Sequence, residues 1–83
     1  MWYFYILQSS KDDKLYYGST NNLKRRFNEH LQGKVLSTKS RLPINLVYYE
    51  AYLDEKNARK RERTIKSSRS SRYALLKRIN IGV

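Results

Sequence analysis

An α+β fold, a three-stranded and mainly antiparallel sheet flanked by helices, is what this sequence predicts, on three observations. Residues 2–8 are rich in aromatic and β-branched side chains, which suit a pleated, half-buried strand. A run of turn formers at 9–13 separates them from a second stretch of similar character, the mark of a hairpin. Two later stretches carry apolar residues at helical spacing behind capping residues. A chain of 83 residues holds one small domain, 1–83, with no room for a second core.

In order along the chain, the first strand puts Trp2, Phe4 and Ile6 on one face and Tyr3, Tyr5 and Leu7 on the other. Ser9-Ser10-Lys11-Asp12-Asp13 turns the chain, and residues 14–18 form the second strand. Residues 18–22 then offer several N-caps for a helix over about 23–32 that Gly33 ends, with Leu23, Phe27 and Leu31 as its core stripe. Residues 34–43 read as a polar loop carrying Lys34, Lys39 and Arg41. A third strand covers 46–53, with Pro43 outside it because proline cannot donate to a sheet ladder. Asp54 caps a second helix over about 55–67. A serine-rich break at 67–71 precedes a short last helix with Leu75, Leu76 and Ile79 on its apolar side. The order β-β-α-β-α-α closes most simply as a sheet with helices packed on it.

Composition narrows the chemistry. Cysteine is absent, which excludes disulfides, thiolate metal sites and cysteine nucleophiles. A single His excludes zinc sites built on several histidines. The glycines stand singly at 18, 33 and 82, so no phosphate-cradling loop for a nucleotide cofactor is present. No apolar run spans a membrane, and Met1-Trp2-Tyr3 lacks the basic start of a signal peptide, so a cytoplasmic protein is expected. Eighteen Lys and Arg against seven Asp and Glu leave a net charge of +11. Such a charge concentrates polyanions, of which nucleic acid is the commonest. Solubility alone is the plainer explanation of the excess. An anionic membrane surface fits less well, because no helix pairs a basic face with a bulky aromatic one.

Angular bookkeeping, at about 100° per residue, then separates neighbouring cations. On the first helix Arg26 and His30 fall at the edge of the core stripe, while Lys24 and Arg25 point away. An arginine at a core margin needs an anion or acceptors, unless it buries its stem and wets its head. On the second helix Ala58 and Ile65 define the inward face and Glu62 lies between them. A carboxylate there either pairs with Arg59 or Lys66 or holds a hard divalent cation. The tyrosines cluster as Tyr3/Tyr5, Tyr16/Tyr17 and Tyr48/Tyr49/Tyr52, mostly as cross-strand packing. A phenol, with an ordinary pKa of about 10, is a poor base at neutral pH unless cations such as Arg26 or a metal on Glu62 stabilise the phenolate.

At these residues the chain resembles the GIY-YIG nuclease superfamily, in particular its small standalone bacterial members, and is similar to the nuclease domain of the excinuclease C subunit. Tyr3-Phe4-Tyr5 with Ile6-Leu7 stands for the first motif and Tyr16-Tyr17-Gly18 for the second. Asn21-Asn22-Leu23-Lys24-Arg25-Arg26 resembles the helix with the family's essential arginine, and Ala58-Arg59-Lys60-Arg61-Glu62 the segment with its metal-binding glutamate. The likeness runs from Trp2 to about Ser67. Tyr3 stands where the first motif has Gly, Tyr17 replaces the middle Ile of the second, and Lys66 fits a family lysine loosely.

The resemblance implies hydrolysis of DNA phosphodiester bonds with one divalent ion, Mg²⁺ or Mn²⁺, in repair or on branched DNA. It implies that of Tyr5 and Tyr16 one activates the attacking water and the other orients it or the phosphate. Arg26 would stabilise phosphoryl charge, Glu62 would hold the metal, and His30 would share in general base work. A second reading, of a different class, is a catalytically silent module of the same fold that binds DNA or RNA without cutting it. Lys24, Arg25, Lys34, Lys39 and Arg41 are the expected backbone contacts.

Overall fold

Two antiparallel ladders share one central strand. The structure, a computed structural model, describes residues 1–80, so Gly82 lies outside the described residues. Its elements are β1 (Trp2–Ser9), β2 (Leu15–Thr20), α1 (Leu23–Leu31), α2 (Leu36–Lys39), β3 (Ile44–Tyr52), α3 (Glu55–Ser67) and α4 (Arg69–Arg78). The strands lie in the order β2-β1-β3, and both pairings are antiparallel. This is the α+β class that the sequence predicts.

The pleat of β1 sorts its side chains as expected. Phe4 and Ile6 pack with Ile65 of α3 and with Leu75 and Leu76 of α4. Tyr5 and Leu7 pack on the opposite face with Ile44 and with Leu23 and Phe27 of α1. Phe4, Tyr5, Ile6 and Leu7 are consequently all buried, because helices cover the central strand on both sides. Pairing across the sheet carries these faces outward: Tyr16 and Gly18 share the α1 side, Tyr17 and Ser19 the α3 side.

Capping follows the sequence. Asn22 Oδ1 accepts from the Arg25 amide at 3.0 Å, and Asp54 Oδ1 from the Asn57 amide at 2.9 Å. Gly33, at φ +73°, takes the left-handed conformation that closes α1.

Four expectations need correction. The loop at 34–43 contains the one-turn helix α2, whose Thr38 is fully buried. β3 begins at Ile44, two residues earlier than expected, because Asn45 and Ile44 continue the ladder opposite Gln8 and Ser9, while a bulge between Ile6 and Leu7 leaves Val47 without a partner and breaks the alternation. The last helix starts inside the serine run, since Ser68 Oγ accepts from the Ser71 amide at 3.2 Å and caps it. On α1, Leu31 is 45% exposed and His30 is fully buried, so the inward stripe is Leu23, Phe27 and His30. Among the described residues, no helix is long and apolar enough to cross a membrane.

Candidate active site

The centre of the site is the hydroxyl of Tyr5. Strand β1 points this side chain toward α1, and its cross-strand partner Gly18 makes room for it. A Cβ on Gly18 would lie 2.5 Å from Tyr5 Oη, so the motif glycine is required by the tyrosine opposite. Tyr5 Oη hydrogen-bonds His30 Nε2 at 3.1 Å, and His30 Nδ1 hydrogen-bonds Thr38 Oγ1 at 2.7 Å. The ring of Tyr16 stands edge-on to His30 with centroids 5.0 Å apart, and lies 6.4 Å from the Tyr5 ring. Tyr5 is 1% exposed whereas Tyr16 is half-buried, so of the two phenols Tyr16 is the one in contact with solvent.

Burial decides the protonation states here. It pushes the Tyr5 phenol up to about 12, although the neighbouring Arg26 guanidinium opposes the rise. It pushes His30 down to about 4, with the Arg26 charge acting in the same direction and Glu29 against it. At neutral pH both groups are therefore uncharged. Arg26 by itself does not bring the Tyr5 phenol into the range of a base at neutral pH. Arg26 itself sits at the rim, its Nη1 donating to Glu29 Oε1 at 3.1 Å, while Arg25 is the more exposed of the pair.

Glu62 approaches from the other side of the sheet. Ser19 Oγ donates to its Oε1 at 2.5 Å and Lys66 Nζ to its Oε2 at 2.6 Å. Since β2 is an edge strand, Glu62, held at Ser19, and Tyr16 flank the same edge from its two faces. The charge of Glu62 contributes to the rise at Tyr5, and the Lys66 ammonium lies 6.0 Å from the centre of the Tyr16 ring. The pairing with Lys66 is one of the two ion pairs that the sequence offers Glu62; Arg59 pairs with Glu55 instead. A shallow groove of about 280 Å³ opens beside Glu62 between Arg59, Arg63 and Lys66.

No group of three or more His, Cys, Asp or Glu side chains able to hold a metal occurs among the described residues. A lone, partly open carboxylate still suits Mg²⁺, which keeps most of its waters and takes phosphate oxygens as further ligands. Here Glu62 fits, provided that Lys66 yields one oxygen.

The five expected backbone contacts divide. Lys24, Arg25 and Lys34 line one groove of about 420 Å³ along α1. Arg41 lines another, of about 450 Å³, with Lys14, Lys66 and Arg72. Lys39 is exposed at the end of α2. Lys66 thus belongs both to a cationic groove and to the glutamate.

Sequence reasoning misses two participants and one separate cluster. Thr38 holds His30 and Ser19 holds Glu62, and for Thr38 no local signal exists. The separate cluster centres on Glu50, which accepts from Tyr48 and Tyr52 at 2.6 Å each and from Arg61 through two nitrogens at 2.9 and 3.1 Å. Its signal was the period-two spacing of Tyr48, Glu50 and Tyr52, which puts all three on one face of a strand.

A family model described as the GIY-YIG catalytic domain matches residues 1–74, continuing past Ser67 into α4. A UPF0213 protein of Lactiplantibacillus plantarum is 40% identical over 79 residues, covering 92% of this chain and 75% of that one. Another, of Clostridium perfringens, is 43% identical over 65 residues, covering 77% of this chain and 69% of that one. The solution NMR structure of a UPF0213 protein from Bacillus halodurans superimposes with a TM-score of 0.57 at 32% identity, covering 93% and 84% of the two chains.

Proposed function

Because the chain belongs to the GIY-YIG family, a nuclease superfamily, we propose that it is a divalent-metal-dependent endonuclease that hydrolyses DNA phosphodiester bonds, with residues 1–83 as its single domain. The observation that supports this reading is the placement of Tyr16 and Glu62 on the two faces of edge strand β2, with Arg26 beside Tyr5 and cationic grooves alongside.

The roles follow from burial. Tyr16, the phenol that solvent reaches, orients the attacking water. Tyr5 is too enclosed for that and too weakly acidic to ionise at neutral pH; it positions Arg26 and anchors the Tyr16 side of the site. Arg26 stabilises charge that grows on the phosphoryl oxygens, a form of stabilisation worth most where donors are already in place. His30 has both ring nitrogens engaged within the protein and no exposed surface, so direct general base work is set aside. It acts as a positioning residue that fixes Tyr5 and the edge of Tyr16. Glu62 would hold Mg²⁺ or Mn²⁺, and its present partner Lys66 would share in phosphate binding. When bound, the ion would supply Lewis-acid charge at the leaving oxygen.

Nicking of supercoiled plasmid and of branched duplexes tests the proposal. Purified protein is expected to nick in Mg²⁺ or Mn²⁺ and Glu62→Ala to be inactive. Equal nicking by Glu62→Ala, or none with any metal, overturns it; retained DNA or RNA binding without nicking would leave the silent module of the same fold.

A further inference from the structure

On the α1 side of the sheet, next to Tyr5, a pocket of about 470 Å³ is lined by Tyr3, Tyr49, Phe27, Asn21, Asn22 and Lys24, among others. We propose that this pocket receives one unpaired nucleobase of the DNA substrate. The inference rests on the nuclease reading above and specifies which feature of DNA that site selects.

The case begins with Tyr49, a large ring left 54% exposed on β3. It faces Tyr3 edge-on, with centroids 6.0 Å apart and planes at 68°. An edge-to-face pair leaves aromatic surface on which a planar ring can stack. Base stacking on such a surface is tolerant of sequence, because every base has a π-face. A fully paired base is already sandwiched in its helix and has to leave the stack before it can enter a side-chain pocket.

The polar lining fits the same occupant. Asn22 Oδ1 and Asn21 Oδ1 each accept one bond from Arg25, which leaves both NH₂ donors for a ligand. Bases present carbonyl and ring-nitrogen acceptors at their edges. Lys24 adds the cation that a flanking phosphate needs. Position completes the case. Tyr49 is the cross-strand partner of Tyr5, Tyr3 lies two residues from Tyr5 on the same face, and Asn22 lies one helical turn before Arg26. A base held here places its neighbouring phosphates next to Arg26.

Binding in EDTA separates recognition from cleavage. Fluorescence anisotropy is measured on three short duplexes: fully paired, carrying one unpaired thymidine, and carrying an abasic residue at that position. The thymidine duplex is expected to bind about tenfold tighter than the abasic one. Tyr49→Ala, which truncates a half-exposed side chain, removes that difference and keeps the affinity for paired duplex. A 2-aminopurine in place of the thymidine is quenched by wild type and less so by Tyr3→Leu or Tyr49→Ala. Equal binding of thymidine and abasic duplexes, or a preference that survives both substitutions, overturns the base pocket and leaves the nuclease reading standing. Failure to bind any of the three duplexes overturns both.

Discussion

Glu50 and Glu62 are both carboxylates wedged between the sheet and α3, yet their surroundings differ in kind. Glu50 is closed: two phenols donate to it, Arg61 grips it with two nitrogens, and these bonds hold its carboxyl below the ordinary range in spite of burial. Glu62 is open: its partners are one serine hydroxyl and one lysine on a flexible stem, at the rim of a groove. The same division separates His30, locked between Tyr5 and Thr38, from Tyr16, which packs on it and still meets water. A polar group with every partner inside the protein stabilises the fold. A polar group whose partner is a mobile cation can exchange that partner for a ligand, and the open groups here gather at the β2 edge.

The sharpest way to break this contrast is at Glu62. Glu62→Gln is expected to lower cleavage by about 10³-fold, in the range seen when a group that stabilises transition-state charge is lost. Its thermal midpoint should stay close to wild type, because the lost ion pair is a partly exposed helix pair. Single-turnover cleavage and a melt on the same sample read both quantities.

Acid tests the closed side. The unfolded chain protonates His30 from about pH 6.5 downward, while the native protein resists until about 4. Over that window the unfolded state binds more protons, so stability is complete above pH 6.5 and falls as pH drops toward 4, by on the order of 3 kcal/mol. Urea midpoints measured from pH 7.5 to 4 should show this decline, and His30→Gln should flatten the part of the slope above pH 5. An unchanged slope would mean that His30 is not enclosed as described.

Glu50→Gln should invert the result for Glu62. Removing the charge while Arg61 remains enclosed costs about 2 kcal/mol, which lowers the midpoint of so small a domain by roughly 10 °C. Cleavage per folded molecule should be retained. The smallest effect belongs to Lys66→Met. Loss of an exposed i,i+4 pair changes stability by no more than about 0.5 kcal/mol. Mn²⁺ binding, followed by electron paramagnetic resonance, should nevertheless tighten severalfold, because the competitor for the Glu62 oxygen is gone.

Several of these features were legible in the residues alone. Alternation fixed which side chains of β1 lie on which face, Asp54 marked where α3 begins, and the capping run at 18–22 bounded the start of α1, which the structure assigns to Asn22. Helical angle separated Arg26 from Arg25 and turned Glu62 inward. Each of these is a property of one segment and its own periodicity.

Other features depended on segments far apart in the chain. His30 is buried at the expense of Leu31 because Thr38, eight residues on and in a separate helical turn, offers its ring a polar partner. Ser19 and Glu62 meet across 43 positions because α3 packs over the edge strand. Tyr5 needs Gly18 only because the hairpin register sets them opposite one another. By itself the sequence determined the sheet with its helices and the angular places of Arg26 and Glu62, since local propensity and periodicity act within a few residues; the two phenols were candidates through the resemblance. Which phenol is shut in, which carboxylate is left open, and how groups from both faces meet at one strand edge were decided by the tertiary structure, because burial and hydrogen-bond partnership come from neighbours that only folding brings into contact.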